Sequence, residues 1–567
     1  MIKQTIKNFS AMIKKKRQIT LAVINCFLIA VLLGACTKKQ IEPVDVYPDP
    51  PAILVKFLEG GPYPATGSEG SVVKFNVTGL KGKEGQFKFF VHLTEAEIIS
   101  VEENAITVKV PLGASTGAAN VLINGEYYFG PTFVIKGKLS IDASFNTDAY
   151  VSNGEIKGIF RRSDNSTYFI YGRFSNYQSS ATVANPITNM AVVDLNCAYR
   201  PVADQMKVGK TGVGGSLSSV IQQASGQYLL AGSFGSYDTT NGINNITRLT
   251  SAGVLETQVV DLINPDPVGF PNDGQAIVPS LNGGTSGGIT KMFVSSTTGD
   301  ITVVGNFTSH LSTFYERSTK TGPLVDVVKV RQLIRMKSTG AFDSTFNFNF
   351  ATKEGYEGGN GFIYDAVQLN DGKIIVAGNF TTYNGTTANY IARINPTNGL
   401  IDATFNPGGV GADGAINKIR YNAVTNRILI VGAFKKYNNQ EVNGVALLNA
   451  DGTVDASFRF GKLTGGVPEF AAQLNNGRVI VAGTFSHYNY NYLTTPDKSV
   501  VRPGFMVLES NGSLALGYNN TGLFRGIIND MVEGTSTDLK PAVILVGDFD
   551  RFDGKAVGDI IKIKLEN

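Results

Sequence analysis

The chain repeats one short motif seven times, in which an apolar run ends in glycine and an aromatic residue follows two positions later. The seven glycines lie 60, 73, 73, 54, 51 and 64 residues apart. A period of this kind is typical of repeat proteins, in which each unit buries its apolar face against its neighbours. The motifs are FIYGRF at Gly172, LLAGSF at Gly232, TVVGNF at Gly305, IVAGNF at Gly378, LIVGAF at Gly432, VIVAGTF at Gly483 and ILVGDF at Gly547.

A second motif lies between the glycine runs and contains an apolar residue, an acid and an aromatic. It reads IDASFN from Ile141, FDSTFN from Phe342, IDATFN from Ile401 and VDASFR from Val454, and three weaker copies end at Tyr199, Val259 and Tyr518. The segments between the motifs, such as AINKIRYN, alternate apolar and polar residues, which is typical of half-buried strands. Four short antiparallel strands in each of seven units predict an all-β fold, a seven-bladed β-propeller over residues 137–567.

The order of the motifs at the two ends of this array predicts that the ring closes. The first acid-aromatic segment, Leu139 to Asn146, precedes the first blade, whereas the last blade ends at Asp559 to Glu566 without such a segment. We therefore expect the N-terminal segment to complete the last blade, because this pairing removes a free sheet edge.

The best-preserved units resemble the delta-60 repeat, a bacterial β-propeller repeat. The segment LNDGKIIVAGNFTTYNGTTANYIARINPTNGLIDATFN, from Leu369 to Asn406, and LLNADGTVDASF, from Leu447 to Phe458, carry the likeness. The resemblance implies a propeller over about residues 139 to 567. It implies no catalytic motif, since a fold by itself does not specify a function.

The N-terminus is typical of a secretory signal. Six basic residues within positions 1–17 precede an apolar stretch from Ile19 to Leu33, and Leu33-Gly34-Ala35-Cys36 follows. This box resembles the bacterial lipoprotein signal, which implies removal of residues 1–35 and lipidation of Cys36. The alternative is a plain secretory signal followed by a chance cysteine.

Removal of the leader changes the charge of the protein. The leader holds six of the 50 basic residues and none of the 46 acidic ones, which leaves 44 against 46 and a formal net charge of −2. No basic patch with interleaved aromatics recurs, so nucleic acid is not expected as a partner. Cys197 is the remaining cysteine besides Cys36, so the sequence predicts no disulfide within the mature chain.

Two segments separate the leader from the propeller. Residues 36–51 contain four prolines and no apolar period, which indicates a tether. Residues 52–136 contain six strand-like segments, which predict a small β-sandwich. The order VVKFNVTGL, then ITVKVPLGASTGAANVLI, resembles the IPT/TIG immunoglobulin-like domain, which implies a spacer or a docking module.

The lengths of the loops indicate where the propeller binds a ligand. The long loops follow the glycine runs and the acid-aromatic segments, so they are expected on one face, with tight turns making the other face flat. Aromatic residues in the long loops are candidate ligand contacts. The alternative is that these rings pack within their own loops and stabilise them. These residues are Phe270, Phe314, Tyr315, Tyr356, Tyr490 and Tyr492.

The sequence carries no convincing enzyme signal. Gly284 to Gly288 fits G-x-S-x-G around Ser286 but lacks the strand-to-helix elbow of serine hydrolases. The chain has only three histidines, and none has metal-ligand spacing. The acids of Asp548 to Gly554 are spaced wrongly for a calcium loop. We therefore expect no enzyme, no metal and no cofactor.

Taken together, these features resemble the accessory surface lipoproteins of Bacteroidetes-type bacteria. That resemblance implies an outer-membrane lipoprotein that binds glycan and assists a nutrient importer of the TonB-dependent kind. The residues after Cys36, Thr37-Lys38-Lys39-Gln40, lack an early acidic cluster, so the sequence leaves both faces of the outer membrane open. Two alternatives stay open: a protein-binding subunit or adhesin, and a polysaccharide-degrading enzyme with carboxylates or a tyrosine-histidine pair that converge in the central well.

Overall fold

The computed structural model describes residues 15–16, 54–145, 152–183, 185–200, 213–262, 274–319 and 322–566. The chain forms two compact units, Met1–Leu54 and Val55–Asn567. The predicted lipidation site Cys36 and the tether lie outside the described residues, as does the signal peptide apart from residues 15–16. Within the described part of the chain, no helix has the length and apolarity to span a membrane. The following paragraphs concern the second unit.

Two sheets lie where the sequence predicts a sandwich. In spatial order, one contains Lys56–Phe57, Val72–Thr78, Ala105–Lys109 and Glu97–Val101, and the other contains Thr66–Gly67, Glu126–Ile135, Gly117–Ile123, Phe87–Val91 and Thr94–Glu95. Phe75, Phe89 and Phe133 are fully buried, and the Phe75 ring centroid lies 5.0 Å from that of Phe89 and 5.9 Å from that of Phe133. These rings form the core between the sheets. The IPT/TIG likeness stays a prediction.

The remaining described residues contain seven sheets of one topology, which we call blades 1 to 7. Each has an inner strand, a middle strand that contains one of the seven glycines, and a third strand. Blade 1 contains Ile156–Arg161, Thr167–Gly172 and Met190–Asp194; blade 2, Val213–Gln222, Tyr228–Tyr237 and Ile246–Leu249; blade 3, Ile289–Val294, Ile301–Gly305 and Leu333–Met336; blade 4, Ile363–Gln368, Ile374–Gly378 and Ile391–Ile394; blade 5, Ile416–Asn422, Arg427–Gly432 and Val445–Asn449; blade 6, Pro468–Gln473, Val479–Gly483 and Phe505–Leu508; blade 7, Arg525–Thr535, Pro541–Phe552 and Ile560–Leu565. In blades 1 to 6, the third strand forms a single bridge to the acid-aromatic segment, for example between Ile394 and Ile401.

The N-terminal segment closes the ring as predicted. Leu139–Ile141 pairs antiparallel with the third strand of blade 7, with Leu139 opposite Leu565 and Ile141 opposite Ile563. Neighbouring blades share buried apolar clusters, and one cluster contains residues of blades 6, 7 and 1. The prediction of an all-β propeller is therefore confirmed.

The repeated glycines are required because the inner strand approaches them closely. Each glycine pairs with the inner-strand residue that precedes a bulge. A Cβ atom placed on any of the seven would lie 1.9–2.4 Å from a backbone carbonyl oxygen of the neighbouring inner-strand segment. At Gly378, for example, that oxygen belongs to Phe362 and the distance is 2.0 Å. A side chain is excluded there by backbone, which explains the motif.

The apolar runs before the glycines are continuous because the middle strands are buried on both faces. In blade 1, Tyr168 and Ile170 lie in the cluster shared with blade 7, whereas Phe169 and Tyr171 lie in the cluster shared with blade 2. All six residues of this strand are buried. A strand between two packed faces has no polar side, so its sequence does not alternate.

The acid of the second motif holds the outer turn of a blade. The carboxylate of Asp402 accepts hydrogen bonds from the Thr404 amide at 3.0 Å, the Thr404 hydroxyl at 2.6 Å and Arg393 Nε at 2.9 Å. Burial alone would raise the pKa of Asp402, but these bonds and the charges of Arg393 and Lys373 outweigh it and hold the pKa below its ordinary value. Asp343 in the preceding copy has the same environment and the same direction of shift.

Many of the long loops are built as hairpins or short paired strands. The described residues of these loops contain the strands Thr240–Asn241, Thr257–Leu262, Gly274–Pro279, Gly284–Thr285, Ser309–Thr313, Val325–Lys329, Phe348–Asn349, Glu354–Gly355, Thr382–Tyr383, Thr386–Thr387, Lys436–Tyr437, Gln440–Glu441, Lys462–Thr464, His487–Asn489, Val500–Val501 and Lys555–Ala556, and the 3-10 turn Tyr315–Arg317. In each blade the chain runs from the inner strand through the middle and third strands to the acid-aromatic segment. The loops between the middle and third strands, and the loops from an acid-aromatic segment to the next inner strand, therefore lie at the same end of the ring. We call this end the loop face and the opposite end the turn face.

Asn520 joins the sandwich to the propeller. Its backbone carbonyl accepts hydrogen bonds from the Thr116 amide at 3.0 Å and the Thr116 hydroxyl at 2.8 Å. Its side-chain amide donates to the carbonyls of Ile135 at 3.3 Å and Leu139 at 2.9 Å, which lie on either side of the connection between the two domains. Nearby, the buried Arg502 donates to the carbonyl of Gly113 at 2.9 Å. The closing strand and the sandwich are thus fixed to the same loop.

Candidate functional site

Every inner strand has a β-bulge at the same place. The register shifts between Ile289 and Lys291 in blade 3, and at the equivalent positions of the other six blades. A bulge redirects side chains and increases the local twist. The repeated bulge therefore aims a set of side chains from each blade at the axis of the ring.

The residue after the bulge connects adjacent blades in several places. Asp365 of blade 4 accepts a hydrogen bond from the Ile419 amide of blade 5 at 3.2 Å, and Asp530 of blade 7 accepts one from the Ile159 amide of blade 1 at 3.2 Å. Ser219 has the same role toward blade 3. Blade 1 has a glycine there, Gly158, which leaves room for the ring and hydroxyl of Tyr171. These groups have a structural function.

The inner strands surround a cavity of about 540 Å³ on the axis of the ring, which we call the lumen. Its wall includes side chains from blades 1 to 7, and Gly232, Ser233 and Asn306 at the start of the long loops also line it. The lumen therefore reaches the loop face. Its volume falls within the range of about 300–1,000 Å³ that is usual for small-molecule sites.

Charged side chains are concentrated in the lumen. The wall contains four cationic residues, Lys157, Lys291, Lys418 and Arg420, and two carboxylates, Asp365 and Asp530. Arg420 Nη1 lies 2.7 Å from Asp530 Oδ1, and Lys157 lies 2.8 Å from Glu155 Oε1. Two of the four cations are thus neutralised by local partners.

Lys291 and Lys418 form no ion pair or hydrogen bond through their amines with the residues that the structure describes. Burial lowers the pKa of Lys291, but Asp365, Tyr171 and Asp530 outweigh it, so this pKa is raised. Burial and the positive charges of Lys291, Lys157 and Arg420 lower the pKa of Lys418 against the attraction of Asp365. The charge of Lys291 therefore acts on the amine of Lys418 across blade 4.

A second cavity, of about 780 Å³, opens on the loop face between blades 3 and 4. Tyr356, one of the six predicted contact residues, lines it and is half-buried. Arg331 and Glu357 also line it, and both are exposed. An aromatic ring beside charged and amide groups is the composition of a polar small-molecule site.

The turn face is not flat, which corrects the sequence-based expectation. A cavity of about 340 Å³ lies there, lined by the turn residue Ala423 and by the inner-strand residues Gln473 and Glu533. Its lining comes from blades 5, 6 and 7, and Arg420 lines both this cavity and the lumen.

The other predicted contact residues do not converge on one site. Phe314 is exposed and lies 5.3 Å beneath the Arg317 guanidinium, whereas Tyr315 is half-buried, with burial raising its pKa. Tyr490 packs against the core cluster of blades 5 and 6. Tyr492 lies near Glu441 and Asn443 of blade 5. Burial is the main cause that raises the pKa of Tyr492.

Two predicted residues lie outside the described part of the chain, namely Phe270 and the lipidated Cys36. Five of the predicted contact aromatics lie within the described residues. Among these five, only Tyr356 lines one of the cavities described above. The role of all six as ligand contacts stays a prediction.

The residues that resemble enzyme or metal motifs have structural contacts. Ser286 Oγ accepts hydrogen bonds from the amides of Thr308 and Ser309, the same role that Asn360 has in blade 4. His310 is buried, and its Nε2 lies 3.1 Å from the Gly340 carbonyl. Tyr237, Tyr437 and Tyr488 at equivalent positions donate to the equivalent turn carbonyls and are buried, so this aromatic position is part of the core.

The described residues contain no group of three or more histidine, cysteine, aspartate or glutamate side chains that could hold a metal ion. In the segment that superficially resembles a calcium loop, Asp550 pairs with Arg525 and Asp553 accepts the Gly522 amide at 2.7 Å. These two carboxylates are therefore engaged within the fold.

The lumen charges were not identified from the sequence, although a signal exists. One position of the inner strand carries these charges. It lies two residues after the apolar residue that pairs with the motif glycine, and it holds Lys291, Asp365, Lys418 and Asp530 in blades 3, 4, 5 and 7. Elsewhere that position holds glycine, serine or phenylalanine. Alignment of the seven units against one another would have shown a charged residue at this inner-strand position in four of them.

Comparison with known proteins supports the fold. Residues 369–405 and 425–458, within blades 4 and 5, match the family described as "Domain of unknown function (DUF5122) beta-propeller". No curated protein matches the chain.

Solved structures with detectable similarity include the WD40 β-propeller domain of Doa1, with 11% identity, a TM-score of 0.34 and coverage of 75% of this chain and 96% of that chain. A structural genomics protein of unknown function from Bacteroides thetaiotaomicron has 10% identity, a TM-score of 0.25 and coverage of 91% and 99% respectively. With TM-scores this low, neither structure bears on the function of this chain.

Proposed function

We propose that this chain is a non-catalytic, glycan-binding lipoprotein of the bacterial cell envelope, anchored through Cys36 at the outer membrane. In this proposal the sandwich is a spacer, and the propeller presents its loop face to the ligand. The ligand is then passed to a TonB-dependent importer, as the resemblance to accessory surface lipoproteins implies.

The observation that carries the proposal is the cavity between blades 3 and 4. It combines the half-buried ring of Tyr356 with Arg331 and Glu357, whose side chains have no hydrogen-bond partner among the described residues. Sugars are bound by a flat apolar ring face together with hydrogen-bonding groups at the edge of the sugar. The cavity lies on the face that carries the long loops, where binding residues concentrate in scaffolds of this kind.

The test is a glycan array probed with the soluble chain from Pro51 onward, with a reducing-sugar assay in parallel. We expect binding without release of reducing ends, and we expect Tyr356→Ala to weaken binding. Val424→Ala is the matched control, since this exposed residue lies at the turn face. Release of reducing ends would favour the enzyme alternative, and absence of binding to any glycan would contradict the proposal.

The anchor is tested separately with Cys36→Ala in the full-length chain. Attached acyl chains contribute about 0.8 kcal/mol of membrane partitioning per buried methylene. The wild-type protein should enter the detergent phase, and the variant should stay in the aqueous phase. Equal partitioning of both proteins would contradict lipidation.

A protein-binding role is the second candidate, and one observation favours it. Tyr127 and Phe129 on the sandwich are 47% and 69% exposed, and their rings stack with centroids 6.3 Å apart. An exposed aromatic pair is typical of protein contact surfaces. A photo-reactive residue at Phe129 should then yield a discrete protein adduct in whole cells, whereas the same residue at the exposed Glu103 should not.

A further inference from the structure

We propose that the lumen binds the negatively charged group of an acidic saccharide, a carboxylate or a sulfate, through the amines of Lys291 and Lys418. This inference rests on the proposed glycan-binding function and names the class of glycan. It places the charged group on the axis of the ring, which is distinct from the cavity that contains Tyr356.

The two lysines occupy equivalent positions on blades that flank blade 4. Each is the first residue after the bulge of its inner strand, and Asp365 has the same position on the blade between them. All three line the lumen. In blades 2, 4 and 7 the residue at this position accepts a backbone amide of the next blade. A lysine has no acceptor atom, so Lys291 and Lys418 cannot have that structural role.

The carboxylates of the lumen are already engaged by the fold. Asp365 accepts the Ala366 amide at 2.9 Å through Oδ1 and the Ile419 amide at 3.2 Å through Oδ2. Asp530 accepts Arg420 and the Met531 amide through Oδ1, and the Ile159 amide through Oδ2. Within the described residues, the amines of Lys291 and Lys418 are therefore unpaired donors, whereas the carboxylates of Asp365 and Asp530 already accept hydrogen bonds. The complementary ligand group is an acceptor with negative charge.

Like charges in the lumen make an anion favourable there. Lys418 faces the positive charges of Lys291, Lys157 and Arg420, and Asp365 is the carboxylate that acts on it. The carboxylate of Glu155 pairs with Lys157 and forms no ion pair with Lys418. Charges in a partly enclosed site interact more strongly than on the surface, because the effective dielectric constant is lower. A bound anion between the two amines would offset this repulsion.

The wall also fits the uncharged part of a sugar. Tyr364 and Tyr421 line the lumen beside the charged residues, and Tyr364 is 41% exposed. A tyrosine ring next to Asp365 offers an apolar face for a pyranose ring whose acid group reaches the amines. The opening at Gly232, Ser233 and Asn306 admits the ligand from the loop face.

The test is titration calorimetry of the soluble chain from Pro51 with a galacturonic acid trisaccharide and a sulfated chondroitin tetrasaccharide. Each is compared with its neutral counterpart, and sodium sulfate is titrated separately. We expect an acidic saccharide to bind about 10- to 100-fold more tightly than its neutral form, as charge-assisted hydrogen bonds contribute. Lys291→Met and Lys418→Met should each lose about tenfold or more. Lys435→Met, on an exposed loop of blade 5, should bind as the wild type does.

The outcomes separate this inference from the proposed function. If neutral glycans bind equally well and depend on Tyr356 rather than on the lysines, glycan binding stands and the lumen site is wrong. If sodium sulfate binds through the lysines while no saccharide binds, the saccharide proposal and the proposed function both fail. Unchanged affinity in both lysine variants overturns the inference.

A measurement on the wild-type protein guards against variants that fold poorly. Lysine acetylation followed by mass spectrometry reports the accessibility of each amine. Saturating acidic saccharide should slow modification of Lys291 and Lys418 at least severalfold, while Lys435 should react at an unchanged rate. Equal protection of all three lysines, or protection of none, would contradict the site.

Discussion

Arg420 of blade 5 and Asp530 of blade 7 form an ion pair of 2.7 Å across blade 6, and the Arg420 guanidinium lies 5.4 Å from the centroid of the Phe470 ring. The pair skips one blade, so it connects parts of the ring that share no sheet edge. It also lies between the lumen and the cavity on the turn face, because Arg420 lines both.

The first prediction concerns this pair. Arg420→Met and Asp530→Asn should each lower the free energy of unfolding by roughly 1–3 kcal/mol, because removal of one partner leaves the other partly buried and unpaired. A double-mutant cycle should show that the two losses are not additive. Arg525→Met, which removes the exposed pair with Asp550, is the control and should have no measurable effect. Strict additivity of the Arg420 and Asp530 losses would show that the pair is not coupled.

The second prediction concerns the glycine opposite each bulge. Gly378→Ala places a Cβ atom 2.0 Å from the Phe362 carbonyl oxygen, so the strands must separate, and we expect a loss of roughly 1–3 kcal/mol or more. Gly235→Ala is the matched control, since its nearest atom, the Ile243 carbonyl oxygen, lies 3.9 Å away. Its stability should change by less than about 0.5 kcal/mol. Urea denaturation measures both, and equal values would contradict the steric explanation.

The third prediction concerns ring closure. A chain that begins at Lys138 keeps the closing strand, whereas a chain that begins at Thr147 leaves the edge of Ile560–Leu565 unpaired. The longer chain should be monomeric, and the shorter one should unfold at lower temperature and self-associate through the free edge. Light scattering and thermal unfolding measure these properties. A synthetic peptide of residues 138–146 should restore the shorter chain, and identical behaviour of the two chains would contradict closure.

The fourth prediction concerns acid stability. Hydrogen bonds and nearby cations hold the pKa values of Asp343 and Asp402 below the ordinary value, despite burial. A depressed pKa in the folded state stabilises the protein above the unfolded pKa of about 3.9, and the stabilisation is lost as pH falls toward the folded pKa. The contribution of these two carboxylates to the free energy of unfolding should therefore be constant above about pH 5 and should decrease below about pH 4. Urea titrations at several pH values measure this dependence.

The matched variants for this prediction are Asp343→Asn and Asp497→Asn. Asp343→Asn removes the titrating group, so its stability should be lower at neutral pH and less dependent on pH. Asp497 is exposed in a loop, and its replacement should leave the pH profile unchanged. A profile for Asp343→Asn that parallels the wild type would show that this carboxylate does not control acid stability.

Periodic features of the fold could be predicted from the sequence, because the same physical constraint acts in every blade. The glycines recur since each one faces an inner-strand carbonyl, and the apolar runs recur since each middle strand is buried on both sides. Closure could be predicted from the position of one segment, Leu139 to Asn146, relative to the array. These inferences need only local patterns and their order.

The candidate site could not be predicted in the same way. The bulge adds one residue to each inner strand, so strict alternation assigns Lys291 and Lys418 to the wrong face. The loop position of Tyr492 predicts a ligand contact, but it does not show that the residue lies near Glu441, which is distant in sequence. Side chains converge through the closed ring, and a linear sequence does not show that geometry.

The hydrogen bonds of Asn520 determine how a mechanical load passes through the molecule. A pull on the N-terminal side of the sandwich runs along Glu126–Ile135 and reaches the closing strand at Leu139 within a few residues. Without other contacts, that load would peel a three-residue strand from the rim of blade 7. Asn520 holds Thr116, Ile135 and Leu139 together, so tension is shared with a loop that belongs to the body of the ring. The short closing strand is thereby shielded from a load that is applied on its N-terminal side.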